Sequence, residues 1–396
     1  MAFLIPRPGS RAWAISQLAI MIIVFLLLQR LLGAFARVDH TYGNVRWYFD
    51  VGALMHEKGF FNLWTSYPPV FPGLLYVLSG FQRDLVGFIN FWKILNVALV
   101  LGITYMVFRI IAVEDRRRAF MAAFGYALIN ATYNSRLTIG LFMDQFDYIP
   151  TLLVLISLYY LMKRRNALSS FFCGVGTMTK VFPAVMLLIA VFRFQNRQKV
   201  IYIAVFAVTC FAILLPYFIN GIEPLVSLYN YTASRDAWET VWHYPKVKFP
   251  PPTRTEPLLE PFRSDARPYS WLGWLTAVSL LGYMVWLRKV GASASFAQQV
   301  LCLLLIILIF SKGVSSYFVF WIIPLIFICY RPLLAFILCC VFILVANIEF
   351  FVDTHWLSIW TRHLLFIGLL LGQVIAQYRT RVLRRQPEGI SGSAWL

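Results

Sequence analysis

The sequence predicts an all-α fold, a polytopic bundle of about 12 transmembrane segments, some of them short or re-entrant. Three observations carry that expectation. Of the 396 residues, 60% are hydrophobic and 13% charged, against about 45–50% and about 25% in soluble globular proteins. Apolar runs such as 15–28, interrupted only by Ser16 and Gln17, recur to the C-terminus. None of these runs alternates polar with apolar residues as a membrane β-strand would. In hydrocarbon each backbone amide needs an internal partner, which a helix supplies to itself.

The whole chain, 1–396, reads as one integral membrane domain. A first span over 12–34 leads into an outer loop, 35–87. Arg7, Arg11 and the small residues Ala34-Phe35-Ala36 imitate a secretory leader, but Gln29-Arg30 interposes a charge where leaders are uncharged, so an uncleaved helix is expected. Within the loop, 67–81 is apolar but too short to span comfortably. It reads as an interfacial or re-entrant helix started by Pro68-Pro69. Spans over 88–112, 119–135 and 145–162 follow. The stretch 167–194 goes out and back as two short halves meeting at Lys180 and Pro183, and short, Gly/Pro-interrupted segments point to binding sites in membrane proteins. A span over 200–219 opens a second long outer loop, 220–268, stiffened by Pro250-Pro251-Pro252. Spans over 269–287, 297–311, 315–330, 332–352 and 358–378 complete the bundle, and 379–396 is a basic tail.

Charge sets the orientation. The segmentation places 19 of the 35 Lys and Arg on one side, with three of the 17 acids: Glu114, Asp115 and Glu388. Cytoplasmic loops carry such a basic excess. Both termini are therefore expected in the cytoplasm, and the polar chemistry on the extracytoplasmic face of a cell membrane. The formal charge of +18 thus reports topology and removes the reason to expect a nucleic-acid partner. All six cysteines lie in apolar runs, which leaves no disulfide framework and no metal-ligand spacing.

The residues that can carry chemistry cluster in the outer segments. Asp39 and Asp50, near the aromatics Trp47, Tyr48, Trp64 and Tyr67, are either a general base or solvated interfacial acids. Asp144 and Asp147 stand where a helix N-cap would also favour them. Lys180 is an ionisable group inside the membrane segments, a functional candidate by its cost alone, unless it snorkels to the interface. Lys312 occupies a short outer turn. In the second loop Arg235 and Glu239 are four apart and His243 follows. This spacing fits a surface ion pair or, through the guanidinium, a phosphate site.

Four stretches, in order, resemble the GT-C superfamily of polyprenyl-phosphate-sugar-dependent glycosyltransferases, and within it family 87 and related mannosyltransferase-like proteins. They are Asp39 with Trp47-Tyr48, Gly59 and Tyr67-Pro68-Pro69; Gln145-Phe146-Asp147 followed by Lys180 and Pro183; Ser234-Arg235 through Glu239; and Ser311-Lys312 with Tyr317 and Trp321 through Pro324. Where the family has Pro-Gln before the late Tyr, this chain has Ser315-Ser316. The resemblance implies a GT-C-type bundle that moves a hexose, mannose above all, with inversion from a polyprenyl-phosphate donor to an extracytoplasmic glycan or lipid acceptor. It implies a first-loop acid as base, Asp39 or Asp50, and Lys180, Arg235 and Lys312 on the donor phosphate. Trp47, Tyr48, Tyr67, Asp147, Glu239 and His243 would line the sugar and acceptor sites. No cofactor and no divalent metal is expected, membrane lipid surrounds a monomer, and the rival function is a transporter or flippase of a lipid-linked sugar.

Overall fold

The computed structural model describes residues 17–18, 21, 43–62, 67–133, 146–234, 270–290, 294–311, 316–351 and 355–385. Among them every regular element is helical. The first expected span lies almost wholly outside the described residues, as do Asp39, Trp64, Asp144, Arg235, Glu239, His243 and Lys312.

Helices α1 (Gly43–Lys58) and α2 (Val70–Phe81) form a hairpin within the first expected loop. Next come α3 (Leu85–Ile111), α4 (Arg116–Tyr133), α5 (Tyr148–Met162), α6 (Asn166–Thr177), α7 (Val185–Arg193), α8 (Asn196–Asn220) and α9 (Glu223–Ser234). The last five are α10 (Ser270–Val290), α11 (Phe296–Phe310), α12 (Ile323–Cys329), α13 (Pro332–Phe351) and α14 (His355–Arg385). Helices α3 and α8 and residues Ile359–Arg379 of α14 are long and apolar enough to cross a membrane, and six more apolar helical stretches of 10–17 residues accompany them. Most boundaries fall within a few residues of those the apolar runs predict. The expected span over 315–330 differs: it is a 3₁₀ segment, Ser316–Trp321, followed by the two-turn helix α12. Pro324, in the first turn of α12, has no N–H to continue a helix arriving from upstream.

Local sequence explains the starts and breaks. Asp84 caps α3, accepting from the Gly87 N–H at 2.8 Å. Ser295 and Gln298 form a reciprocal capping box at α11. The stretch 167–194 divides as its Gly/Pro content predicts, into α6 and α7 with a 3₁₀ turn, Phe182–Ala184, between them. Gly176 lets the two halves close up, because a Cβ there would stand 3.1 Å from Pro183 Cβ.

Among the described residues two apolar cores result. The larger runs through α3–α7 and α11–α14, with Leu301–Leu305 of α11 entirely buried at its centre. The smaller joins α1, α2, the first turns of α3 and Phe146, just ahead of α5. Gly52 of α1 sits against α2, where a Cβ would lie 2.5 Å from Ser79 Oγ and 2.8 Å from the Leu75 carbonyl. Gly52→Ala is therefore expected to lower thermal stability by about 1–3 kcal/mol, the range for an overpacked core. That loss outweighs the helix-propensity gain of about 1 kcal/mol. Gly273→Ala, where nothing stands within 4 Å, is the matched control and should not destabilise. Equal melting of the two variants would refute the close packing of α1 on α2.

Candidate active site

The break between α6 and α7 is where the two cores meet. After Thr177 the chain turns, and the N–H groups of Thr179 and Lys180 both donate to the Gly176 carbonyl at 3.0 and 2.9 Å. The carbonyl of Met178, left without a helical partner, accepts from the Val70 N–H at 2.9 Å. That bond ties the start of α2, just past Pro68-Pro69, to the broken segment. Two backbone groups at helix ends, each needing a partner in an apolar medium, satisfy one another.

Lys180 projects from this break. Its Nζ donates to Asp147 Oδ1 at 2.5 Å, and the same oxygen accepts from Trp321 Nε1 at 2.6 Å. Asp147 precedes α5, but its side chain makes no capping bond. Its carboxylate is turned inward to the lysine and the indole instead. The ammonium lies 4.3 Å from the ring centroid of Phe318, 4.8 Å from that of Trp321 and 5.0 Å from that of Phe146. Aromatic faces attract a cation by their quadrupole, and more strongly once it is desolvated. Trp321 is held in turn, stacked on Phe182 at 4.1 Å and on Phe318 at 4.2 Å. The Asp147 side chain is 2% exposed and that of Lys180 16%. An anion arriving at the cluster therefore meets the ammonium first, with the carboxylate behind it.

Phe146 carries the cluster into the smaller core. It stacks on Phe71 at 4.0 Å and meets Tyr67 edge-on at 4.6 Å. Tyr67 also faces Trp47 at 6.2 Å, and Tyr48, 2% exposed, packs on Phe71 and Trp92. Trp47, Tyr48 and Tyr67, expected near the sugar, thus form one aromatic wall with Phe146, and Tyr48 is its buried base. Tyr67 also lines a shallow surface notch with Pro69, Pro72, Tyr217, Pro224, Leu225 and Leu228, with room for little more than one water.

Of the predicted site residues, the fold brings Asp147 and Lys180 into contact and sets Tyr67, Trp47 and Tyr48 beside them. It does not bring Asp50 there. Val45, Tyr48, Val51 and Met55 form the buried face of α1. Asp50 stands on the other face, its side chain 62% exposed and 3.9 Å from Arg46. Asp39, Arg235, Lys312, Glu239 and His243 lie outside the described residues. Sequence reasoning missed Trp321, Phe318 and Phe182 as parts of the site. Trp321 stands 174 residues from the carboxylate it holds. Its one sequence signal is its place in the Trp-x-x-Pro stretch with Pro324.

The model of glycosyltransferase family 87 matches residues 64–346, a stretch that contains the Asp147–Lys180–Trp321 cluster. No curated protein matches the chain.

Proposed function

This chain belongs to glycosyltransferase family 87, and we propose that it transfers a hexose, mannose in the first instance, from a polyprenyl-phosphate carrier to a glycan or lipid acceptor outside the cytoplasm. The observation that carries the reading is the partly exposed Lys180 ammonium, fixed by Asp147 and Trp321 at a helix break and walled by aromatic rings. A lipid phosphate needs such a cation at membrane depth, and a sugar ring packs well on aromatic faces.

In the proposed reaction the acceptor hydroxyl oxygen attacks the anomeric carbon as the bond from that carbon to the phosphate oxygen breaks. Attack from the opposite face inverts the configuration. The hydroxyl proton passes to the carboxylate of Asp39, and the electron pair of the broken bond leaves with the polyprenyl phosphate. Lys180, with Arg235 and Lys312 from the later loops, stabilises the charge that grows on that phosphate; such preorganised donors act most strongly where water is scarce. Asp147 holds Lys180 in place rather than touching the sugar. The aromatic faces of Trp47 and Tyr67 suit the sugar. The basic asymmetry of the loops supports a multi-pass arrangement with both termini in the cytoplasm and the site on the opposite face.

The test uses purified protein, radiolabelled polyprenyl-phosphate mannose, and a panel of glycan and glycolipid acceptors. Label is expected to move onto an acceptor, with release of polyprenyl phosphate in equal amount. It is expected to persist in the presence of a chelator, since no ligand cluster for a metal is legible in the sequence. Movement of the intact donor across a bilayer, with no transfer to any acceptor, would replace this reading with transport.

A further inference from the structure

A second cationic site stands well away from the Lys180 cluster, where the far ends of α3 and α5 come together. The two helices touch closely at Gly102, where a Cβ would be 3.1 Å from Leu152 Cδ2. Seven residues further along each helix, about 10 Å by helical rise, that approach brings Arg109 of α3 against Tyr159 of α5. The guanidinium donates from one terminal nitrogen to Tyr105 Oη at 2.8 Å and from the other to Tyr159 Oη at 2.8 Å. It also lies over both rings, 5.6 and 5.5 Å from their centroids. Lys163, just past α5, sits over the other ring partner, its Nζ 5.8 Å from the Tyr159 centroid.

This arrangement has an unusual balance of donors and acceptors. Each phenol oxygen is used as an acceptor by Arg109, which leaves its own O–H proton to donate elsewhere. Arg109 keeps further N–H groups, and Lys163 brings an ammonium. Among the described residues neither cation makes an ion pair with a carboxylate. The acids next along the chain, among the described residues, are already engaged: Glu114 faces Arg118 and Asp115 accepts from the Arg118 N–H. Among the described residues several donors thus converge with no carboxylate to meet them, and a phosphate group offers a matching set of oxygens. The helix that carries Arg109 also exposes apolar side chains, Ile94 and Tyr105 along it and Val113 just past its end. A free phosphate would gain nothing from that surface, whereas the acyl chains of a lipid would cover it.

We propose that Arg109, Tyr105, Tyr159 and Lys163 form a binding site for the phosphodiester headgroup of an anionic phospholipid, with its chains along the exposed apolar face of α3 that carries Ile94 and Tyr105. The site is separate from the donor site and needs nothing from the sugar-transfer reading. Basic groups at membrane-helix ends favour anionic headgroups by about 1 kcal/mol per cation, which is roughly five-fold in affinity.

The experiment titrates the full-length protein in detergent micelles with phosphatidylglycerol and, separately, phosphatidylcholine, and counts bound lipid by native mass spectrometry. Wild type is expected to retain phosphatidylglycerol preferentially. Arg109→Gln is expected to lose roughly five-fold of that preference. The double variant Tyr105→Phe/Tyr159→Phe keeps every charge and both rings, and is expected to lose part of it with an unchanged thermal midpoint. Arg117→Gln removes the same charge at the neighbouring basic cluster and is expected to behave as wild type. A loss with Arg117→Gln equal to that with Arg109→Gln would mean general basic attraction and would overturn the site. So would undiminished phosphatidylglycerol binding by the Arg109→Gln and double-Phe variants. Displacement of the lipid by millimolar inorganic phosphate would overturn the lipid assignment.

Discussion

Lys180→Met alone is expected to unfold readily and to transfer no sugar, and adding Asp147→Asn is expected to restore the fold without restoring transfer. The lysine and the aspartate are both largely buried and share one hydrogen bond. Removing one partner of such a pair strands the other charge in a poorly hydrated interior, at about 3–5 kcal/mol. Removing both charges lifts most of that penalty, because taking two ions out of water is itself expensive. Asparagine is the replacement of choice at 147, since its amide oxygen can still accept the indole N–H of Trp321, which leucine would leave unmatched. The double variant should therefore melt close to wild type. Its transfer rate should stay down by about 10²–10³-fold, the cost of deleting one preorganised charge from a leaving-group site. Thermal unfolding followed by scintillation counting of transferred label reads both quantities on one preparation. A double variant that melts and transfers like wild type would show that the pair only fastens the α6–α7 break to α5, and the phosphate role of Lys180 would be lost.

The same pair shows what the sequence could and could not tell. The break at 178–184 was legible because glycine and proline act locally: Gly176 permits close approach and Pro183 lacks an N–H. The cost of a lysine in an apolar stretch was legible too, since that cost does not depend on the partner. Its partner was not. Asp147 is 33 residues away and Trp321 is 174 away from that aspartate, and helix-end geometry alone assigned Asp147 a capping role as readily as any other. The three-dimensional position of α5 decides between them, by turning the carboxylate inward. The late segment misled for a related reason. The residues from 315 to 330 are apolar enough for one helix, but hydropathy does not register the turn into which 316–321 tightens. That turn is what brings Phe318 and Trp321 to the ammonium. The α1–α2 hairpin shows the opposite case. Tyr48 and Phe71 belong to what reads as an outer loop, yet they pack with Trp92 of α3 into a core of their own.

Asp39→Asn is expected to lower transfer by about 10²–10⁴-fold, the span attributable to a positioned general base, while donor binding and thermal stability hold. An amide is nearly isosteric with the carboxylate and still accepts a hydrogen bond, but it cannot take up the acceptor's proton. Asp50→Asn is the matched comparison in the same loop. The carboxylate of Asp50 is mostly exposed, its ion pair with Arg46 spans one helical turn at 3.9 Å, and the face of α1 on which it stands is not the face packed toward Phe146. An exposed pair of that kind contributes about 0–1 kcal/mol. Asp50→Asn should therefore leave the thermal midpoint unchanged and transfer within about two-fold of wild type, since a free-energy difference of a few tenths of a kcal/mol changes a rate little. The discriminating quantity is the pH dependence of the residual rate. A base that must be ionised makes wild-type transfer rise with pH through its pKa, and Asp39→Asn should flatten that limb while Asp50→Asn leaves it in place. If the limb instead vanishes with Asp50→Asn, the proton goes to Asp50, and α1 has to turn about its axis when donor and acceptor bind, because its packed face now belongs to Tyr48, Val51 and Met55.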